Sequence, residues 1–211
     1  LSLVKIYEGR MTPEKLRSIY GAPLEIAEQK IINHLDEHCI NFIENSTFLV
    51  FGTSDGKNVD LSPKGDPQGK LALIEDEKTL LIADRHGNKR LDGLFNILKY
   101  PKVSLLFFIT NVTETLRVKG DAEITDEISY LEKFQINGKN PKTVTKIKVE
   151  KAFIHCGKAL VRGKMWDNKT WPKKRPIAPI YQIIRDQTGQ KVHTIDQKQI
   201  EKEYKEEIDL A

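Results

Sequence analysis

The sequence predicts a mainly β protein in which antiparallel strands form a barrel or a sandwich and helices lie at the periphery. Four short runs rich in β-branched and aromatic residues recur at a spacing of about ten residues between positions 46 and 88. Asp55-Gly56 separates the first two runs and is a strong hairpin turn, and Asp76-Glu77-Lys78 is a polar turn between the third and the fourth. These runs therefore predict two antiparallel strand pairs.

Three further segments continue the β pattern beyond residue 100. VSLLFFIT is a continuous apolar run and predicts a strand that is buried on both faces, whereas TLRVKGDAEI alternates between two faces. TVTKIKVEKAFIHCGKAL adds one more alternating strand, which runs into a short helix. From this inventory we expect about six strands with helices around them.

Helical periodicity marks the N-terminal part of the chain. Thr12 is a helix cap and Pro13 a first helical residue, and the helix that they begin ends at Gly21. Pro23 opens a second predicted helix along PLEIAEQKIINHLDEHCINFIENS, whose apolar residues form one stripe. We therefore expect a helical appendage ahead of the strands.

Further helices are predicted between the strands and at the C-terminal end. Apolar residues recur at helical spacing after Asn88 until Pro101, and TDEISYLEKFQ predicts a helix with Thr125 as its cap. A proline-broken basic loop, WPKKRPIAP, precedes a charged helix near IDQKQIEKEYKEEIDL. Trp171 and the basic residues of this loop could contact nucleic acid, but the prolines and the acidic helix favour a surface loop.

Composition is that of an ordinary globular chain. The 211 residues are 39% hydrophobic and 30% charged, which is enough for one sizeable core. The net charge of +4 is a small excess of 34 basic over 30 acidic residues, so it favours anionic ligands only weakly. We expect one domain with appendages.

The two cysteines indicate a reducing compartment. Cys39 and Cys156 are too few for a disulfide scaffold and form no C-x-x-C pair. The first residues become charged before an apolar segment of useful length, and no run of about 18 apolar residues occurs, so we expect neither export nor membrane spanning. The expected location is the cytoplasm.

Neither histidine-containing cluster predicts metal or nucleophilic chemistry. His34 and His38 are four residues apart, but no glutamate follows His34 as in H-E-x-x-H, and Cys39 points about 100° away from His38 on a helix. We therefore predict no metal site. His155 and Cys156 are adjacent at a strand-to-helix junction and point apart, which favours a small buried cysteine over a thiol nucleophile.

The turn HGNKR is the first candidate binding site. Lys89 and Arg90 are expected in the first turn of the helix after Asn88, where cations are unfavourable to the helix unless an anion binds there. Gly87 would bring the backbone close to such a ligand. The other interpretation is that Asn88 is only the helix cap and both basic side chains are solvated. From this segment alone the two remain open.

The order of several motifs resembles one protein family. These motifs are SPKGD (62–66), GNKRLDGLFNIL (87–98), YPKVSLLF (100–107), TETLRVKG (113–120) and HCGKALVRGKMW (155–166). Together they closely resemble the flavin-binding split-barrel proteins of the pyridoxamine 5'-phosphate oxidase family, and in particular its branch of probable FMN-dependent oxidoreductases. The resemblance spans about residues 20 to 170. It implies a six-stranded antiparallel split β-barrel of the FMN-binding type, homodimeric, with helices around it.

The resemblance also implies the domain organisation and the cofactor. Residues 1–45 would be an N-terminal helical appendage, residues 46–165 the FMN-binding split β-barrel, and residues 166–211 a C-terminal loop and helix that packs on the barrel or on the dimer partner. An FMN would lie at the interface of a homodimer. Its phosphate would lie in the basic turn and its ring against the strand edge.

Site residues follow from the same resemblance, position by position. Lys89 and Arg90 would bind the phosphate with support from Asn88, while Asp92 would orient Arg90. The other implied residues are Ser62, Pro63 and Lys64 beside the isoalloxazine ring, Thr115 where the oxidase has a flavin-contacting glutamine, and Arg162 and Trp166 from the partner subunit. Lys64 would stabilise negative charge on the reduced flavin. No catalytic residue is assigned.

Two departures from the family pattern bear on function. Gly93 stands where the branch has serine, and Lys89 replaces the commoner arginine, so we expect weaker FMN binding. The C-terminal arginine and histidine that hold pyridoxal phosphate in the true oxidase are absent. The expected function is FMN-dependent electron transfer to or from an unknown small molecule, with a small-molecule substrate or a nicotinamide donor as alternative partners and no nucleic-acid or membrane partner. The alternatives are a flavin carrier or sensor without turnover and a nucleic-acid-binding β-barrel.

Overall fold

The computed structural model describes residues 11–85, 87–190 and 196–210, and seven strands form one sheet within them. The strands are β1 (Phe48–Ser54), β2 (Val59–Gly65), β3 (Leu73–Asp76), β4 (Thr79–Asp84), β5 (Lys102–Phe108), β6 (Thr115–Thr125) and β7 (Thr143–His155). The helices are α1 (Pro13–Tyr20), α2 (Glu25–Gln29), α3 (Glu37–Glu44), α4 (Asp92–Lys99), α5 (Ile128–Lys133), α6 (Lys158–Arg162), α7 (Ile180–Thr188) and α8 (Gln197–Leu210). The chain is mainly antiparallel β with peripheral helices.

The strand order is β2-β1-β5-β6-β7-β4-β3, and every pair of neighbours is antiparallel. The expected count of about six strands is wrong, since each of the four runs before residue 88 and each of the three segments after residue 100 forms a strand, which makes seven. The long strand β7 holds the sheet together, since β6 pairs along most of its length and β4 pairs with its first half. Both predicted hairpins, β1–β2 and β3–β4, are present.

The main core lies on the inner face of the sheet. Leu49 and Phe51 of β1 and Leu105 and Phe107 of β5 are buried there, while the alternate residues of both strands face outward. The prediction that the VSLLFFIT strand is buried on both faces is therefore wrong. Its outward residues Ser104, Leu106 and Phe108 are only half-buried.

Strand β4 is the strand that is buried on both faces. Leu80 and Ile82 point into the main core, and Leu81 and Ala83 form a second cluster with Phe134, just after α5. A run of four apolar residues is what such a two-sided environment requires. Helix α5 begins at Ile128, so Thr125 is not its cap as predicted. Thr125 instead ends β6, and its hydroxyl accepts from the N–H of Glu127.

The helix predicted to begin at Pro23 is divided into α2 and α3. Between them the N–H and C=O of Ile32 pair with Ala152 of β7, so this part of the backbone leaves the helical path to join the sheet edge. Asp36 then caps α3 by accepting from the N–H of Cys39. The predicted start and end of α1 are confirmed, with Thr12 as cap and Gly21 at a φ of 72°.

Glycine is required at one point in the TETLRVKG segment. A Cβ on Gly120 would lie 2.1 Å from the carbonyl oxygen of Lys148 on β7, at the place where the β6–β7 register shifts. This motif residue is therefore explained by strand packing. Helix α7 was not predicted, because its short apolar pattern follows the proline-rich loop directly. In the described part of the chain no helix combines the length and the apolar character that a membrane span needs.

Candidate cofactor site

Two ion pairs join the ends of β2 and β4. The ammonium of Lys64 donates to Asp84 Oδ1, and Arg85 Nε donates to both carboxylate oxygens of Asp66 at 3.0 and 3.2 Å. In a flat sheet of this order, β2 and β4 would be five strand spacings apart, or about 24 Å. The sheet is therefore curled, and side chains rather than a β ladder connect these two strands. We call these four residues the seam.

The seam is largely withdrawn from water. The side chains of Asp66 and Arg85 are 11% and 21% exposed, and burial raises the pKa of Asp66 above its ordinary value despite the neighbouring Arg85. Arg85 Nη2 is buried and has no hydrogen-bond partner within the described residues. A buried guanidinium nitrogen without an acceptor is costly, so this atom is a donor available to an anionic ligand.

The basic turn does not lie in the first turn of α4 as predicted. The helix begins at Asp92. Lys89 and Leu91 have positive φ angles of 62° and 61°, and a right-handed helix requires negative φ, so these residues lie outside it. Asn88 shapes this turn because its side-chain oxygen accepts from the N–H of Arg90 at 3.1 Å. Positive φ at two non-glycine residues is strained backbone of the kind that concentrates at ligand-binding turns.

The side chains of the turn are arranged around one internal ion pair. Arg90 Nε donates to Asp92 Oδ2 at 2.8 Å, which is the pairing that the sequence resemblance implied. Asn88, Lys89 and Arg90 are exposed. Lys89 makes no ion pair within the described residues, so the turn presents one uncompensated cation beside the seam.

Helix α4 is fixed to the inner face of the β1–β2 hairpin. Its buried Asn96 donates to Asp60 Oδ2 at 2.7 Å and to Thr53 Oγ1 at 3.2 Å. The β1–β2 register puts Ser62 and Lys64 on this same inner face, because their cross-strand partners are core residues of β1. Pro63 therefore points to the opposite, outer face. The side chains of Ser62 and Lys64 therefore lie on the face of the hairpin to which α4 is fixed.

The three remaining predicted residues lie elsewhere in the chain. Thr115 is buried at the start of β6. Its neighbour Leu116 and Lys64 are the two ends of one row of cross-strand partners, which runs across β6, β5, β1 and β2. Three strand spacings separate this row's ends, about 14 Å, and Thr115 is on the outer face. Arg162 is exposed at the end of α6, and Trp166 donates from Nε1 to the carbonyl of Val112 at 2.9 Å.

The sequence interpretation missed the acids and the arginine of the seam. Asp84 and Arg85 directly follow a continuous apolar strand, and charged residues at such a position are a signal that could have identified them. Asn96 gave no such signal, because its partners Asp60 and Thr53 lie more than thirty residues away. One open groove of about 750 Å³ is lined by residues around β3 and α5, and its lining includes none of the seam or turn residues.

The cysteine environments differ from the prediction in one case. Cys156 is exposed rather than buried, because it lies after the last residue of β7. Cys39 is buried in α3, and burial raises its thiol pKa to about 12, which keeps it protonated at neutral pH. Throughout the described ranges, no group of three His, Cys, Asp or Glu side chains is placed to hold a metal ion.

Comparison with known proteins identifies one family model and several related structures. The model described as pyridoxamine 5'-phosphate oxidase matches residues 35–156, more than half of the chain. No curated protein matches significantly. Similar solved structures include HupZ of Group A Streptococcus, with 26% identity, a TM-score of 0.45, and coverage of 56% of this chain and 92% of that one.

Two other similar structures have lower sequence identity. General Stress Protein 26 of Bacillus anthracis is 16% identical with a TM-score of 0.43, and covers 55% of this chain and 88% of its own. A Clostridium acetobutylicum protein related to general stress protein 26, of the pyridoxinephosphate oxidase family, is 16% identical with a TM-score of 0.43. The alignment covers 56% of this chain and 85% of that one. Each alignment covers little more than half of this chain.

Proposed function

This chain belongs to the pyridoxamine 5'-phosphate oxidase family, and on that premise we propose that it is an FMN-binding flavoprotein and an FMN-dependent oxidoreductase. The observation that carries the proposal is the buried, unpartnered Nη2 of Arg85 beside a basic turn. An FMN phosphate is a dianion with three strong acceptor oxygens, which is the chemistry that such a donor requires.

The phosphate would be held by the turn and by the seam together. Lys89 supplies an uncompensated cation, Arg90 is oriented by Asp92, and Arg85 is oriented by Asp66 so that Nη2 stays free. Asn88 maintains the turn. These residues fit a phosphate group, since three cationic side chains are available to a doubly charged ligand and only two carboxylates compete.

A second copy of this chain is the proposed partner. The outer face of β1, β2 and β5 is apolar, and Val59 and Leu61 are 73% and 71% exposed there. Phe48 and Phe108 are adjacent on the same face, with ring centroids 6.0 Å apart. We call this set the outer apolar face. Burying it between two copies would remove apolar surface from water and form a dimer with FMN at its interface.

The flavin supplies two-electron transfer, and the protein supplies binding and electrostatics. Lys64 is held by Asp84 on the inner face near the rim, where its ammonium is fixed in position. Ser62 and Pro63 flank it on the edge strand. In this proposal Lys64 would stabilise negative charge on the reduced cofactor and Thr115 would contact the flavin, while Arg162 and Trp166 would complete the site from the partner subunit.

The test is an FMN titration of the purified protein, followed by absorbance at about 370 and 450 nm. We expect the wild type to bind FMN and the Lys89→Ala/Arg90→Ala and Arg85→Gln variants to bind it at least ten times more weakly. The reason is that each variant loses charge-assisted hydrogen bonds to the phosphate, which are worth about 1.5–3 kcal/mol each. A Lys57→Ala/Lys139→Ala variant removes the same charge from exposed turns and should bind FMN normally.

Each outcome bears on a different part of the proposal. A wild type that takes up no FMN, and is colourless once free FMN has been removed, refutes flavin binding and favours the nucleic-acid-binding barrel, which predicts salt-dependent binding to single strands. Binding of FMN without reduction by NADPH or NADH and reoxidation by an acceptor favours the flavin carrier. Rapid reduction and reoxidation support the oxidoreductase.

A further inference from the structure

We propose that the outer face of β6 and β7 carries a second binding site, for a carboxylate or phosphate group of a small molecule, formed by Lys30, Arg117 and His155 around Phe153. The β6–β7 register pairs Arg117 with Phe153 and Thr115 with His155, so these side chains share one face of the sheet. Neither the basic turn nor the seam contributes to this site. Thr115, which belongs to the proposed flavin site, is the cross-strand partner of His155, so the two sites adjoin.

Two cations from different elements converge on one aromatic ring. Lys30 Nζ, at the C-terminal end of α2, lies 5.7 Å from the centroid of the Phe153 ring, and the Arg117 guanidinium lies 5.6 Å from it. Lys30 also donates to the carbonyl of Ile154 at 2.8 Å, which fixes its ammonium over the strand. Such a pair of cations on an exposed face costs repulsion unless an anion joins it.

No acidic side chain offsets these cations within the described part of the chain. Neither Lys30 nor Arg117 takes part in an ion pair there. Glu114, which directly precedes β6, accepts instead from the hydroxyl of Thr113 at 3.3 Å. The positive charge at this site is therefore available to a ligand.

His155 completes the site. Its ring lies 4.9 Å from that of Phe153, and its Nε2 is buried with no partner among the described residues. Burial of the ring is the largest cause that lowers the pKa of His155, and the positive charges of Arg117 and then Lys30 lower it further. An oxyanion that accepts from Arg117 and Lys30 would favour the charged imidazolium, and Nε2–H could then donate to it. The Phe153 ring offers an apolar surface to the rest of the ligand.

NMR titration of the histidine Hε1 signals of the full chain tests this proposal, with inorganic phosphate and benzoate as separate probes at constant ionic strength. His155→Gln assigns the signal. We expect at least one probe to shift the His155 signal saturably. The same probe should raise the His155 pKa by about one unit, because a protein that binds it tenfold more tightly with His155 protonated shows a shift of that size. The more effective probe identifies the group as phosphate or carboxylate.

Variants separate specific binding from general charge effects. Arg117→Gln and Lys30→Gln should each weaken probe binding about tenfold, as expected for loss of one charge-assisted hydrogen bond. Each should also raise the His155 pKa of the free protein, because a neighbouring cation is removed. Lys57→Gln, in the exposed β1–β2 turn, should change neither property. Absence of a saturable shift with both probes, or equal shifts in all three variants, would overturn the proposal.

Discussion

Replacing Asp66 by alanine should destabilise the protein because it removes the one ion-pair partner that Arg85 has among the described residues. Arg85 Nε donates to both oxygens of Asp66, and Nη2 already lacks a partner within the described residues. Removing the carboxylate would leave a largely buried guanidinium uncompensated. The same change would release the end of β2 from β4, where side chains join the two strands.

The expected cost is about 2–4 kcal/mol of the free energy of unfolding. Removing one partner of a buried ion pair costs about 3–5 kcal/mol. We lower this range by about 1 kcal/mol because the Arg85 side chain remains 21% exposed and water screens it. Asp66→Asn should cost less than Asp66→Ala, since its side-chain oxygen can still accept from Arg85 Nε.

Urea unfolding of Asp66→Ala, Arg85→Gln and the double variant measures this effect as a double-mutant cycle. The exposed pair of Lys102 and Asp121 provides the control, and Asp121→Ala should cost under about 1 kcal/mol. A coupling energy between Asp66 and Arg85 below about 0.5 kcal/mol would refute the idea that this ion pair of the seam stabilises the fold. A cost equal to that of Asp121→Ala would refute it as well.

Three further predictions concern the cofactor, the dimer and pH. Gly93→Ser should tighten FMN binding severalfold, because it supplies the hydroxyl that the family resemblance implies at the phosphate, and its Cβ would be in ordinary van der Waals contact, 3.6 Å from Thr53 Oγ1; fluorescence quenching of FMN measures this, and weaker binding would contradict it. If the chain forms the proposed dimer, Leu61→Asp should be monomeric in sedimentation velocity where the wild type is dimeric, whereas a dimeric variant would exclude the outer apolar face as the interface. Asp36→Ala should cost about 1 kcal/mol at pH 7 through loss of the α3 cap. The hydrogen bond from the N–H of Cys39 lowers the pKa of Asp36 in the folded state. The stabilisation by this cap is therefore complete above the unfolded pKa of 3.8 and is lost as the pH falls through the folded pKa. Urea unfolding of the wild type and Asp36→Ala at pH 7 and pH 2.5 measures this, and an equal difference in unfolding free energy at both pH values would contradict it.

Local patterns in the sequence predicted most of the elements. The hairpin at Asp55-Gly56, the cap at Thr12 and the strand that continues into α6 are all present, because each depends on neighbouring residues. The errors arose where a distant segment competes. Ile32 pairs with Ala152, more than a hundred residues away, and this interrupts a pattern that is helical by periodicity alone.

The candidate cofactor site could be predicted only in part. The basic residues Lys89 and Arg90 and the pairing of Arg90 with Asp92 could be inferred, since the three lie within four positions of one another. The start of α4 could not, because Leu91 adopts positive φ, which its residue type disfavours. The partners of Arg85 and Asn96 required the register and curl of the sheet.

By itself the sequence determined the β-rich composition, the order of strands along the chain and the cluster of cations in one turn, because these depend on residue type and short spacing. Only the tertiary structure decided that Lys64 meets Asp84 and that Arg85 meets Asp66, since a curled sheet brings together strands that are five positions apart in its order. It also decided that Lys30, Arg117 and His155 share one surface. Their convergence depends on the β6–β7 register and on the position of α2, and neither leaves a periodic signal in the sequence.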